Sequence, residues 1–257
     1  MSEDRSLGRQ KERVRALPNR DTVSMNVSPP LADRVVFLLD VDNTLLDNDR
    51  FAVELSAHLE QGFGSAGRDR YWEVYAQRRT RLGYADYLGA LEEFRAGQDA
   101  GPELLQMSSY LLDYPFARLL YPRALEAIAR LRSLGTVVVL SDGDIVFQPR
   151  KVQRSGIWDA VSGEVLICLH KERALEFMQR KYPASHYVAV DDKPLLLAAM
   201  KLAMGERLTT VFVRQGHYAL EAAGTPVLPP SDLGVEGIGA LIGLDPALFH
   251  PVSREAL

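Results

Sequence analysis

Val35-Val36-Phe37-Leu38-Leu39 is an unbroken apolar run that stops at Asp40. A run this short, rich in branched residues and ended by Asp and Asn, reads as a strand buried on both faces of a parallel sheet. Four later runs resemble it: Thr136 to Leu140, Val165 to Leu169, Tyr187 to Val190 and Thr209 to Val213. Helical stretches lie between them. Leu125, Ile128 and Leu131 recur at helical spacing before Gly135, and Ile145 to Arg154 ends at Gly156. Glu172 to Arg180 and Leu195 to Met204 supply two more, the last stopped by Gly205. Strands alternating with helices predict an α/β fold, a doubly wound parallel sheet with helices on both faces.

Two segments depart from this alternation. Residues 49–114 contain no strand pattern. A helix opens at Phe51 and is expected to stop near Gly62-Phe63-Gly64, with further helices over Tyr71 to Leu82, Tyr84 to Ala96 and Pro102 to Asp113. This is a helical insertion placed just after the first strand. Residues 1–33 are polar, mix both charges and carry Pro29-Pro30, so they read as a flexible tail. They lack the apolar core of a signal peptide, and Met25 is an alternative start. The expected domains are therefore 1–33 as tail, 34–48 with 115–257 as an α/β core, and 49–114 as a helical cap.

Composition narrows the function. The formal net charge of -4 argues against a partner held by phosphate attraction, so no nucleic acid is expected. No apolar run reaches the roughly 18 residues of a membrane span, and a cytoplasmic location is the expectation. Cys168 is the only cysteine and sits in an apolar strand, where it reads as inert core. Neither a disulfide framework nor a cysteine zinc site can be built from it.

In open parallel sheets ligands bind beyond the carboxyl ends of the strands. There this chain carries Asp40-Val41-Asp42-Asn43-Thr44-Leu45, then Ser141-Asp142-Gly143-Asp144, then His170-Lys171, then Asp191-Asp192-Lys193. Each piece alone is ordinary turn and cap chemistry. Together they bring several carboxylates to one edge, and each like-charged pair at about 4 Å costs roughly 4 kcal/mol at an effective dielectric near 20. Such a cluster calls for a cation, and hard oxygen donors suit Mg²⁺. Asp40 and Asp42, two apart in extended backbone, point the same way. One can attack while the other moves a proton.

This ordered set resembles the four motifs of the haloacid dehalogenase (HAD) superfamily, over residues 34–243. The insertion resembles that superfamily's cap of the first type, and Val211 to Gly216 with Asp232 to Ile242 resembles its final strand and helix. The resemblance implies a HAD-like, Rossmannoid core with an inserted α-helical cap. It further implies Asp40 as nucleophile, Asp42 as general acid and base, and Ser141 and Lys171 as phosphate-holding groups. Asn43, Asp142 and Gly143 would join Ser141 and Lys171 around the substrate. Mg²⁺ would sit on Asp40, the Asp42 carbonyl and the Asp191-Asp192 pair, with Asp191 expected as the direct ligand. Because a halide leaves without a proton, Asp42 points to phosphate-ester hydrolysis, with a small phosphorylated metabolite as partner. A phosphotransferase or mutase, or a binding module without activity, is the alternative. The sequence is silent on oligomeric state.

Several other residues carry expectations. Lys151 competes with Lys171 for the lysine role, but its place inside a helix is expected to turn it to solvent. Lys193 follows the acid pair closely enough to serve it, or simply opens a helix. Arg78, Arg79 and Arg81, with Tyr71, Trp72, Tyr75, Tyr84 and Tyr87, read as a solvated basic face over an aromatic core. Trp158 reads as core; His217 and Tyr218 follow the last strand and either reach the active-site edge or, as expected here, lie in a surface loop.

Overall fold

The computed structural model describes residues 34–97, 101–222, 224 and 226–250. The tail expected over 1–33, with Met25, lies outside the described residues.

Among the described residues six strands form one sheet in the order β3-β2-β1-β4-β5-β6, all parallel. They are β1 Val35–Leu39, β2 Thr136–Asp142, β3 Val165–Cys168, β4 His186–Asp191, β5 Leu208–Val213 and β6 Leu233–Val235. β1 lies at the centre, and the chain winds outward from it in both directions. The switch point between β1 and β4 is where this topology opens a crevice at the strands' carboxyl ends. Strand alternation builds two cores. Val35, Phe37 and Leu39 pack with Ile128 and Leu131 of α4 (Ala124–Arg132), Val152 of α5 (Phe147–Arg154) and Ile157 of α6 (Ile157–Ala160). Val36 and Leu38 face the other way, onto Leu175 and Met178 of α7 (Leu175–Lys181) and Leu197 and Met200 of α8 (Pro194–Met204). This is the doubly wound parallel sheet that the strand pattern predicts.

The insertion is helical. α1 (Asn48–Leu82), α2 (Tyr87–Phe94) and α3 (Pro102–Asp113) make the cap. α1 does not end at Gly62–Gly64 as expected. It bends there, at Gly64 with φ 68° and ψ 177°, and resumes until Gly83, whose left-handed φ of 82° closes it. Asp86 accepts the Gly89 N–H at 2.8 Å and starts α2, later than the expected Tyr84. Aromatic rings weld the cap to the core: Phe147 of α5 lies 5.8 Å from Phe51 and 5.0 Å from Tyr87, centre to centre.

Other boundaries move as well. The third strand stops at Cys168, and a 3-10 turn over Lys171–Arg173 precedes α7. The final segment holds a three-residue strand, β6, and a 3-10 helix over Ile238–Gly243 in place of the expected α-helix. Cys168 is half-buried, packed against the second core at the end of the edge strand β3. Trp158 is half-buried against the core cluster. Among the described residues no helix is long and apolar enough to cross a membrane.

Candidate active site

The carboxyl ends of β1, β2 and β4, with the turn after β3, meet at one buried crevice. Asp40 follows β1 directly and is tied to β4 by its N–H, which donates to the Val190 carbonyl at 3.0 Å. The loop after it folds tightly, since the Leu45 and Leu46 N–H groups both donate to the Val41 carbonyl at 2.9 Å. Lys171 is buried beneath this loop. Its ammonium bonds Asp40 Oδ1 and also Asp191 Oδ2, the latter at 2.8 Å. Burial opposes its charge, but Asp191 and Asp40 outweigh burial and hold the lysine pKa well above its usual range.

Three carboxylates stand close together. One oxygen each from Asp40, Asp191 and Asp192 lie within 4.8 Å of one another, and all three residues are buried. The two aspartates of the pair differ in their bonds. Asp191 accepts the Lys193 N–H on Oδ1 at 2.9 Å and Lys171 on Oδ2. Among the described residues neither oxygen of Asp192 has a hydrogen-bond partner, nor does Asp40 Oδ2. Burial, then the charges of Asp191 and Asp40, push the Asp192 carboxyl up to about 9. Burial raises Asp191 in the same way. Buried carboxylate oxygens without donors are costly. Hard oxygen atoms left open on Asp40 and Asp192, beside Asp191, suit a small divalent cation such as Mg²⁺.

The remaining predicted residues occupy the rim. Ser141 is buried at the end of β2, its Oγ accepting Gln148 Nε2 at 2.9 Å. Asp142 follows with Oδ1 unbonded, and burial pushes its carboxyl up to about 6 against the pull of Lys171 and Lys193. Gly143 donates its N–H to the Cys168 carbonyl at 3.0 Å, so that group is spent on the sheet edge. Asn43, at a left-handed φ of 60°, also serves the scaffold. Its Oδ1 accepts the N–H groups of Asn48 at 2.9 Å and Asp49 at 3.2 Å, so it caps the first turn of α1.

Three residues with contacts here were not expected. Lys151 is buried, not turned to solvent. It bonds Asp42 Oδ1 at 2.6 Å and Asn48 Oδ1 at 3.0 Å. Helix spacing explains the error: Phe147, Gln148, Lys151 and Val152 all lie on the inward stripe of α5. Gln148 bonds Asp42 Oδ2 at 3.3 Å from that same stripe. His217, read as surface loop, pairs with Asp49 at 2.6 Å and approaches Asn43 Nδ2 at 3.3 Å.

Of the cap arginines, Arg78 pairs with Asp86 and Glu93, and Arg81 lies 3.8 Å from Glu93. Arg79 instead turns to the core, 5.7 Å from the ring of Tyr218, which Lys193 approaches to 5.1 Å. The Arg79 and Lys193 side chains, one from the helical insertion and one from the loop after β4, therefore meet at Tyr218. Tyr71 and Tyr87 are fully buried.

Gly216 shows how closely the last loop packs. Its φ is +69°, and an added Cβ would stand 2.5 Å from Asn43 Cβ and Cγ. Gly216→Ala is expected to lose about 1–3 kcal/mol of stability by strain and by displacing the Asn43 cap. Urea unfolding that coincides with wild type would refute this close approach.

A doubly wound parallel sheet with a buried acid cluster at its strand ends and a helical insertion after its first strand defines an α/β protein of Rossmann-like class. A family model described as haloacid dehalogenase-like hydrolase matches residues 35–203, and the chain belongs to that family. It is similar to the crystal structure of a haloacid dehalogenase-like hydrolase from Burkholderia xenovorans LB400. The two share 55% identity over 83% of this chain and 99% of that one, with a TM-score of 0.78. A haloacid dehalogenase-like family hydrolase from Xanthomonas campestris has 17% identity over 84% and 92% of the chains, with a TM-score of 0.60. A 2-haloacid dehalogenase from Pseudomonas syringae pv. Tomato DC3000 also has 17% identity, over 81% and 96%, with a TM-score of 0.52. At such identity these last two speak for the fold alone. No curated protein sequence matches the chain.

Proposed function

We propose that this hydrolase removes phosphate from a small organic phosphomonoester, with Mg²⁺ as its cofactor and Asp40 as nucleophile. The observation that carries the reading is Asp42. It stands two residues beyond Asp40, holds bonds from Lys151 and Gln148, and keeps 20% of its side chain exposed to the crevice. An alkoxide leaving group needs a proton from such an acid, whereas a halide needs none. A haloacid substrate would leave Asp42 and its donors without a task.

The chemistry follows from the charges. Asp40 attacks phosphorus, the phosphorus–ester oxygen bond breaks, and Asp42 gives its proton to the departing oxygen. Asp42 then takes a proton from water, which attacks the aspartyl-phosphate, releases phosphate and restores Asp40. Lys171 neutralises charge on Asp40 as the phosphate approaches, and Ser141 with the Asp142 N–H serves the phosphoryl oxygens. Of the three clustered acids Asp40 and Asp192 have free oxygens, so they would hold the metal, and Asp191 braces Lys171 beside them. Mg²⁺ so held supplies the positive charge that lets a carboxylate approach a phosphate dianion.

The test is a panel of phosphomonoesters and 2-haloacids, with Mg²⁺ or with chelator. Phosphate release that needs Mg²⁺ is the expected result, and halide release without phosphate release would overturn the reading. Binding is tested separately from activity. Mg²⁺ at 100 times its dissociation constant is expected to add about 2.7 kcal/mol of stability. That corresponds to a melting point raised by roughly 5–10 °C for a chain of this size. Asp192→Asn is expected to abolish most of the rise.

The raised Asp192 pKa also sets a pH dependence. A carboxyl that holds its proton more tightly when folded contributes stability that is complete below the ordinary range near 4. That contribution is lost as pH climbs through about 9. Metal-free protein should therefore weaken over this interval, while Mg²⁺, which must displace the proton, binds more tightly as pH rises. Metal-free stability that rises with pH over the same interval would contradict this assignment.

A further inference from the structure

Both oxygens of Asp42 meet donors from a single helix. Lys151 Nζ bonds Oδ1 at 2.6 Å and Gln148 Nε2 bonds Oδ2 at 3.3 Å. The donors are three residues apart on α5, so they share one face. A buried lysine is expensive unless it is paired, and this one has a side chain only 1% exposed. Its ammonium lies 5.3 Å from the ring of Phe147, 5.9 Å from Tyr87 and 6.0 Å from Phe116, an aromatic setting that favours the cation. Its other bond reaches Asn48, the first residue of α1. Gln148 spans two functional groups, since the same Nε2 lies 2.9 Å from Ser141 Oγ.

We propose that Lys151 and Gln148 are positioning residues for Asp42, fixing the orientation of the carboxyl that handles the leaving-group proton. This rests on the phosphatase reading above. A carboxyl on a loop end can turn about its own torsions. Donors on both oxygens, anchored in a packed helix, remove that freedom. The rings around Lys151 hold its stem, so the ammonium cannot follow a wandering partner. A proton carrier works only within hydrogen-bond reach of the departing oxygen.

The experiment measures single-turnover rates of alcohol release from two esters, with Mg²⁺ present. One is an alkyl phosphate, whose leaving group needs a proton. The other is 2,4-dinitrophenyl phosphate, whose leaving group does not. Wild type, Asp42→Asn, Lys151→Met and Gln148→Leu are compared. Lys151→Met is expected to slow the alkyl ester about 100-fold, the cost of misplacing a reacting group by about 1 Å. The dinitrophenyl ester should slow less than about 10-fold, as in Asp42→Asn. Gln148→Leu, which keeps the ion pair, should shift the ratio the same way by a smaller factor. The ratio of the two rates in one sample does not depend on how much of a variant is folded. Equal slowing of both esters by Lys151→Met and Gln148→Leu, with a working wild type, would overturn the positioning role and leave the phosphatase reading intact. A wild type that releases neither alcohol would remove the proton that Asp42 is said to handle, and both would fall.

Discussion

Asp40→Asn protein is expected to release phosphate at least about a thousand-fold more slowly than wild type, whichever ester is supplied. The substitution barely changes volume or shape, and the Asp40 N–H to Val190 bond that seats the residue belongs to the backbone. What changes is chemistry. An amide cannot form the aspartyl-phosphate, and its oxygen carries no charge for a metal. Lys171 loses one carboxylate but keeps Asp191 at 2.8 Å, so it is not left as a bare buried charge. The fold should survive, and near-ultraviolet circular dichroism should match wild type. A loss smaller than about ten-fold with the fold intact would show that another group attacks.

Lys171→Met should damage the protein more broadly. The lysine bonds two buried acids, Asp40 and Asp191, while Asp192 stands beside them with neither oxygen bonded. Removing one partner of a buried ion pair leaves uncompensated charge, at a cost of about 3–5 kcal/mol. For a chain of this length that is a melting point lower by roughly 6–20 °C, together with loss of turnover. Lys193 raises the local potential but bonds none of these carboxylates through its ammonium among the described residues, so it cannot replace Lys171. A variant that melts within 1–2 °C of wild type would mean the acids do not depend on this lysine.

The acids and the Lys171 loop were legible for a topological reason. In a parallel sheet every strand's carboxyl end reaches the same edge, so residues following separate apolar runs meet in space however far apart they lie in sequence. Asp40, Ser141, Lys171 and Asp191 each follow such a run and are found at that edge. Elements that fall below the pattern's length escaped. β6 has three residues, one of them glycine, and owes its existence to pairing with β5. The bend at Gly64 escaped for the converse reason. Two glycines suggest a stop, but packing of Phe51, Leu55, Leu59 and Tyr71 in one core carries the helix through.

The sequence by itself determined the fold class and the groups at the strand ends, because both follow from local pattern: apolar runs, their alternation with helices, and the residues just beyond them. The tertiary structure decided which partners those groups have. Lys151 looks like any solvated helix lysine until α5 is packed so that its stripe of Phe147, Gln148, Lys151 and Val152 turns inward, which places that lysine on Asp42 instead of in water. Asp191 and Asp192 are identical in type and adjacent in the chain. Which of them keeps its oxygens free depends on which one Lys171 reaches, and that lysine arrives from a turn 20 residues away. Pairing of this kind is a matter of distance between elements, and local pattern carries no record of it.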